Sequence, residues 1–304
     1  MSYNSLQGNI PEEIGNLHNM NLLSIQYNQL TGSIPLSVFN ISRIENIGFT
    51  GNGLSGSLPN GLRNGLPILK GIYLSSNKLR GHMPTTLSSC SQLQILSLSD
   101  NEFDGPIHSE RGRLSNLQIL YLGTNHVTGE IPKEISNLVE LELLNLWYNS
   151  FRGRQNMEIF NISGVRIMYL SSNNLSGSLP PPNMCSILPN IEDLYLSFTN
   201  LVGTIPHSIS NCSKFTRLEL SNNQLTGLIP NSLGYLTYLK LLNLEGNNLT
   251  SDSSLSFLTS LTNCRNLSSL SLSLNPLNGI LPSLCFVNLF DYSSKWGHVA
   301  GNVY

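Results

Sequence analysis

The chain has 304 residues, a formal net charge of −2 and a charged fraction of only 11%. Lys and Arg are too few and too scattered to track phosphates, so no nucleic-acid partner is expected. No apolar run is long enough to span a bilayer, and the opening MSYNSLQGNIPEEIG lacks the basic and apolar segments of a secretory signal.

Taken in chain order, one element recurs. An asparagine returns at Asn4, Asn28, Asn52, Asn77, Asn101, Asn125, Asn149 and Asn173, and again at Asn223, Asn247 and Asn275, with Thr199 in place of one member. The steps are 24 or 25 residues until one interval is stretched. Around each return lies the frame LxxLxLxxNxLxGxIP, nearly intact from Leu117 to Pro132 (LQILYLGTNHVTGEIP). This period and leucine pattern predict a leucine-rich-repeat solenoid. The expected class is α/β: a right-handed horseshoe with a parallel inner sheet and short 3-10 or helical turns on its convex side. About twelve repeats are expected over residues 1–283, followed by a divergent tail, 284–304.

Each register position has a physical task. Leu117, Leu120 and Leu122 precede Asn125, and the last two alternate with polar neighbours as a strand with one buried face requires. The asparagine amide both donates and accepts, so it can satisfy backbone groups buried between turns, whereas the Thr199 hydroxyl can make only part of that network. Glycine follows at one register, as at Gly32, Gly105 and Gly227, where positive φ or close approach is expected. The proline of Ile34-Pro35 and its equivalents ends any second strand and starts the return along the outer side, where a single 3-10 or helical turn fits the remaining length.

The frame breaks in four places. Met1 falls where a strand leucine belongs, so a strand is expected before Asn4. Repeat seven has Gln155-Asn156 in place of Ile-Pro, flanked by Arg152 and Arg154, read either as drift or as a polar docking notch. A proline-rich insert, Leu179 to Pro182, lengthens the eighth repeat. A second insert, Thr250 to Ser254, follows Asn247.

Cys90, Cys212 and Cys264 share one phase of the repeat with Leu17, Ile41, Leu114, Leu138, Ile162 and Leu236. They are therefore expected to be buried thiols outside any disulfide, standing in for aliphatic residues. Cys212 and Cys264 lie two turns, about 10 Å, apart by strand spacing, beyond disulfide reach; Cys185 and Cys285 have no assigned role. The histidines show no metal spacing, and neither a nucleophile elbow nor a phosphate loop nor a kinase signature occurs. No metal, cofactor or catalytic residue is expected, and the chain is not read as an enzyme. Sequons stand at Asn40, Asn161, Asn174, Asn211, Asn248 and Asn266.

The consensus, with its Gly-x-Ile-Pro half, resembles the plant-specific class of leucine-rich repeats. VFNISRI, IFNISGV, PPNMCSILPNIEDLYLS and SFLTSLTNCRNLSSLSLSLNPLNG resemble the ectodomains of plant leucine-rich-repeat receptor-like serine/threonine kinases, in the branch of the bacterial-blight and elongation-factor immune receptors. The resemblance covers residues 1 to 283. It implies a parent receptor at the outer face of the plasma membrane that perceives a peptide or microbial signal and recruits a co-receptor kinase. The chain itself carries neither the kinase nor a membrane contact.

On this reading the concave face binds a peptide or protein ligand through Tyr73, Tyr121, Tyr169 and Tyr195 in one register, with Trp147, Tyr148, Tyr27 and Phe198 nearby. Tyr and Trp are effective interface anchors. The alternative for the tyrosines is a common repeat choice, stacking only on its own neighbours. Two other readings of the whole chain are a secreted inhibitor of a cell-wall hydrolase and a truncated product without independent function.

Overall fold

The structure, a computed structural model, describes residues 1–59, 66, 68–154, 157–179 and 183–282. The predicted tail, Gln155-Asn156 and Pro180 to Pro182 lie outside the described residues. The chain winds as a leucine-rich-repeat solenoid in which strands of successive turns pair in parallel. Among the described residues, two eleven-stranded sheets result, each with its strands in sequence order.

The inner sheet is built from three-residue strands such as Ile95–Ser97, Ile119–Tyr121 and Leu143–Asn145. In each, the central leucine is buried and its two neighbours are half-buried, as alternation of side chains across a sheet demands. The expectation of a strand before Asn4 is not met; the first strand is Gln7–Asn9, in the second sheet. The backbone there still follows its neighbour, with Tyr3 N–H donating to Gln26 O at 2.9 Å and the Met1 amine to Ser24 O at 3.0 Å.

The second sheet follows the asparagine column, for example Glu102–Pro106 and Ser150–Arg154. Sequence reading anticipated a second strand at the proline but not a continuous sheet. Its regularity comes from the glycine column, in which Gly32 has φ +75° and Gly105 φ +68°. At Gly105 a Cβ would also meet the His82 ring at 2.6 Å, so both expected reasons for glycine apply there.

The asparagines form the predicted ladder. Asn125 Nδ2 donates to Leu122 O and Gly123 O in its own turn and to Leu98 O in the preceding one, at 3.0, 3.2 and 3.0 Å. Its Oδ1 accepts Phe103 N–H at 3.0 Å. The residue before each ladder position, Asn or Thr199, plays no part in this side-chain network but takes the left-handed conformation, including bulky Thr124, Tyr148 and Phe198 at φ +53°, +51° and +50°. That geometry costs about 1–2 kcal/mol per residue, which the ladder bonds beside it offset.

Prolines open the return path. Pro35, Pro84, Pro132, Pro206 and Pro230 each precede a five-residue 3-10 helix. Among the described residues, α-helix is confined to α1 (Met184–Ile187) and α2 (Ser256–Leu261), each in a turn that follows an insert. In the second insert, Asp252 Oδ1 accepts the N–H groups of Ser254 and Ser256 at 3.1 and 3.0 Å. Hydrogen bonds from Ser256 are the main cause that brings its carboxyl down to about 2.

The core is a continuous rod of leucine and isoleucine with fully buried Phe49, Phe103, Phe151 and Phe215, each such side chain contributing about 1.5–3 kcal/mol by burial.

The cysteine expectation needs correction. Cys90 and Cys264 are buried thiols, but Cys212 is bonded to Cys185. Cys185 lies on α1 in the buried column of Ile135, Ile159 and Ile209, three residues ahead of the column that holds Cys212. A diagonal step between adjacent turns brings the two Cα atoms to 4.7 Å, well within disulfide reach. Comparing cysteines only within one column missed that diagonal.

Candidate functional site

The register of the inner sheet assembles the predicted tyrosines. Tyr73 pairs with Ser97, Ser97 with Tyr121, Tyr121 with Asn145, Asn145 with Tyr169, and Tyr169 with Tyr195. All four tyrosines are half-buried on the open face of the sheet. Burial holds each phenol above its ordinary pKa, most strongly at Tyr195. They therefore stay protonated and able to donate hydrogen bonds at neutral pH.

Trp147 follows the same strand series two residues after Asn145 and is half-buried. Asn145 Oδ1 accepts the Trp147 backbone N–H at 3.0 Å, which fixes the carboxamide and leaves its amino group to donate. Tyr148 and Phe198 sit at the left-handed position, 58% and 59% exposed. Trp147 and Tyr148 face each other with ring centroids 5.7 Å apart.

Self-stacking accounts for some of these rings. Tyr27 stacks on Tyr3 at 4.6 Å, in the first turns and several strands away from Trp147, and Tyr169 packs on Tyr195 at 4.6 Å. Tyr73 and Tyr121 are different, because Ser97 separates them. Tyr73 lies over Gly71, where a Cβ would meet its ring at 2.6 Å, so the missing side chain lets the ring settle onto the sheet.

Two features of this face were not read from the sequence. Ile95, Ile119, Leu143 and Ile167 form a second, half-buried column beside the tyrosines; the position just before each strand leucine was the available signal. Beyond Tyr169 the face turns charged. Arg217 pairs with buried Asp193 at 2.7 Å, and Glu219 accepts Ser221 N–H and Asn243 Nδ2 at 3.0 and 2.8 Å. Burial of Glu219 raises its carboxyl above the ordinary range.

All six sequon asparagines are exposed. Asn40, Asn161 and Asn211 end 3-10 helices, Asn266 follows α2, and Asn174 and Asn248 open strands of the second sheet. None lies in an inner-sheet strand. Elsewhere, an apolar pocket of about 430 Å³ opens at the last described turn, lined by Leu255, Phe257, Leu270, Leu272 and Leu277, away from the tyrosines. Among the described residues no histidine, cysteine or carboxylate cluster fits a metal ion, and no helix is long and apolar enough to cross a membrane.

Leucine-rich-repeat family models match residues 116–138 and 189–249. No curated protein matches the chain. Among solved structures, the plant peptide hormone receptor RGFR1 in complex with RGF2 is 32% identical with a TM-score of 0.85, over 91% of this chain and 43% of that one. PEPR1–AtPEP1 is 33% identical with a TM-score of 0.85, over 93% and 39%. The Arabidopsis receptor kinase HAESA, in complex with the peptide hormone IDA and the co-receptor SERK1, is 26% identical with a TM-score of 0.79, over 93% and 50%. The chain thus spans half or less of the length of each of these plant receptors.

Proposed function

We propose that this chain is the ligand-recognition region of a plant leucine-rich-repeat receptor kinase, whose inner sheet holds a peptide or protein signal and which takes part in recruiting a co-receptor kinase. The observation that carries the reading is the in-register column of Tyr73, Tyr121 and Tyr169, on strands without a charged residue, with Trp147 two residues beyond Asn145 of the same column. Aromatic anchors set among small polar groups suit a largely neutral partner. The similar structures support the reading, since RGFR1 and HAESA are held in complexes with RGF2 and with IDA and SERK1.

Two further features support an extracellular site of action. The Cys185–Cys212 disulfide suits an oxidising compartment, and glycans on the exposed sequons would leave the inner sheet open. VFNISRI, IFNISGV and the segment around Cys264 support assignment to the branch of the bacterial-blight and elongation-factor immune receptors, where the signal is a peptide or a microbial product.

The test is selection of a random displayed peptide library against the whole chain. Binders are expected to weaken at least tenfold on Trp147→Ala, with the melting curve unchanged, and to ignore Tyr235→Ala on the 3-10 side. Binders indifferent to Trp147→Ala and to the inner-face tyrosines would overturn the reading.

A further inference from the structure

Tyr73, Tyr121 and Tyr169 occupy alternate strands of the inner sheet, with Ser97 and Asn145 between them in the same column. Neighbouring strands stand about 4.8 Å apart, so successive members of this series are about 9.6 Å apart. A linear ligand that meets each ring in the same way must repeat at that distance. A β-strand repeats every two residues, about 6.7 Å, and falls out of phase after one step. A polyproline II segment repeats every three residues, about 9.3 Å. Its two turns, about 18.6 Å, match the roughly 19 Å from Tyr73 to Tyr169 over four strand spacings.

The hydrogen-bonding character of the face agrees. A polyproline II backbone makes no internal hydrogen bonds, and its prolines have no N–H, so it presents carbonyl acceptors. The face answers with donors: the tyrosine hydroxyls, the Trp147 indole and the Asn145 amino group. No charged residue stands in the strands Gly71–Tyr73, Ile95–Ser97, Ile119–Tyr121, Leu143–Asn145 and Ile167–Tyr169. Among the strand positions, charge begins in the next strand, at Asp193 and its partner Arg217, which marks one end of the neutral tract; Lys70, Glu142 and Arg166 lie just before these strands and Asp100 just beyond one. Ile119 and Leu143 add apolar contact beside the rings, the aromatic-lined, preorganised arrangement on which proline-rich ligands dock.

We propose that the face between Tyr73 and Tyr169 binds a proline-rich peptide segment in the polyproline II conformation, with residues i, i+3 and i+6 seated on Tyr73, Tyr121 and Tyr169. This deepens the peptide reading given above and rests on it.

Peptides selected from the random library against the whole chain test it. Those that depend on Trp147 are expected to carry proline at three-residue spacing. For a synthetic binder of this kind, deleting one residue between two anchor prolines should weaken binding at least tenfold. Tyr121→Ala should do the same with an unchanged melting curve, and Tyr121→Phe should cost less because the ring remains. Inner-face binders without spaced prolines, or indifferent to the deletion, would overturn this inference and leave the peptide-binding function standing. A library that yields no binder dependent on the inner face would overturn both.

Discussion

Thr199 stands in the asparagine column, and its Oγ1 donates to Asn223 Oδ1 in the next turn at 2.7 Å. The same hydroxyl lies 2.9 Å from Leu196 O, yet it has a single proton to share between them. An asparagine there has two amide protons and an acceptor, as Asn223 uses in donating to Leu196 O and Leu220 O while accepting Leu201 N–H. Thr199→Asn should therefore stabilise the chain by about 1 kcal/mol, one net hydrogen bond, in denaturant melts. Asn125→Ala should destabilise it by at least about 3 kcal/mol, because it strands several buried backbone groups. A destabilising Thr199→Asn would show that the column is not interchangeable.

Removing the Cys185–Cys212 bridge frees a loop set by a sequence separation of 27, a loss of about 3–4 kcal/mol by the chain-entropy relation. In a solenoid each turn stabilises mainly its neighbours. Hydrogen exchange on the Cys185→Ser/Cys212→Ser chain should accordingly lose protection around α1 and its flanking turns, while the strand Ile119–Tyr121 stays protected. Cys90 and Cys264 are buried, and burial pushes the Cys264 thiol up, so neither should react with a thiol reagent before unfolding. Uniform loss of protection along the chain would contradict the local role of the bridge.

Glu219 gives a pH prediction. Its folded-state pKa is raised, chiefly by burial, so its contribution to stability is full below the unfolded carboxylate range and is lost as pH rises through the folded value. The stability of Glu219→Gln relative to the unaltered chain should consequently rise between about pH 4, the ordinary range for Glu, and neutrality. A relative stability that stays flat or falls over that interval would contradict the assignment.

Much of the fold was legible because each turn repeats the same local problem. Asn125, Gly105 and Pro132 each have one physical task, and a task repeated at fixed spacing can be read from a single chain. Residues whose role lies between turns were harder to see. Cys185 and Cys212 meet only across a diagonal that no single column contains. The left-handed backbone at Tyr148 and Phe198 goes with their place just before the ladder position, whether that holds Asn149 or Thr199, and their own side chains give no sign of it. The open face was half legible: the tyrosine column followed from register, but the column of Ile95, Ile119, Leu143 and Ile167 did not, because an apolar residue gives no sign by itself that it faces outward. The charged limit at Asp193 and Arg217 required knowing which strands are neighbours on the same face.

The most direct test of the central claim is hydroxyl-radical footprinting of the chain with and without a selected peptide ligand, read residue by residue on the aromatic side chains. Tyr235 and Tyr238, 72% and 61% exposed, serve as internal controls outside the inner sheet. The account predicts that the ligand protects Tyr73, Tyr121, Trp147 and Tyr169 and leaves Tyr235 and Tyr238 as reactive as before. Protection of Tyr235 and Tyr238 with unchanged oxidation of the inner-face rings would contradict it.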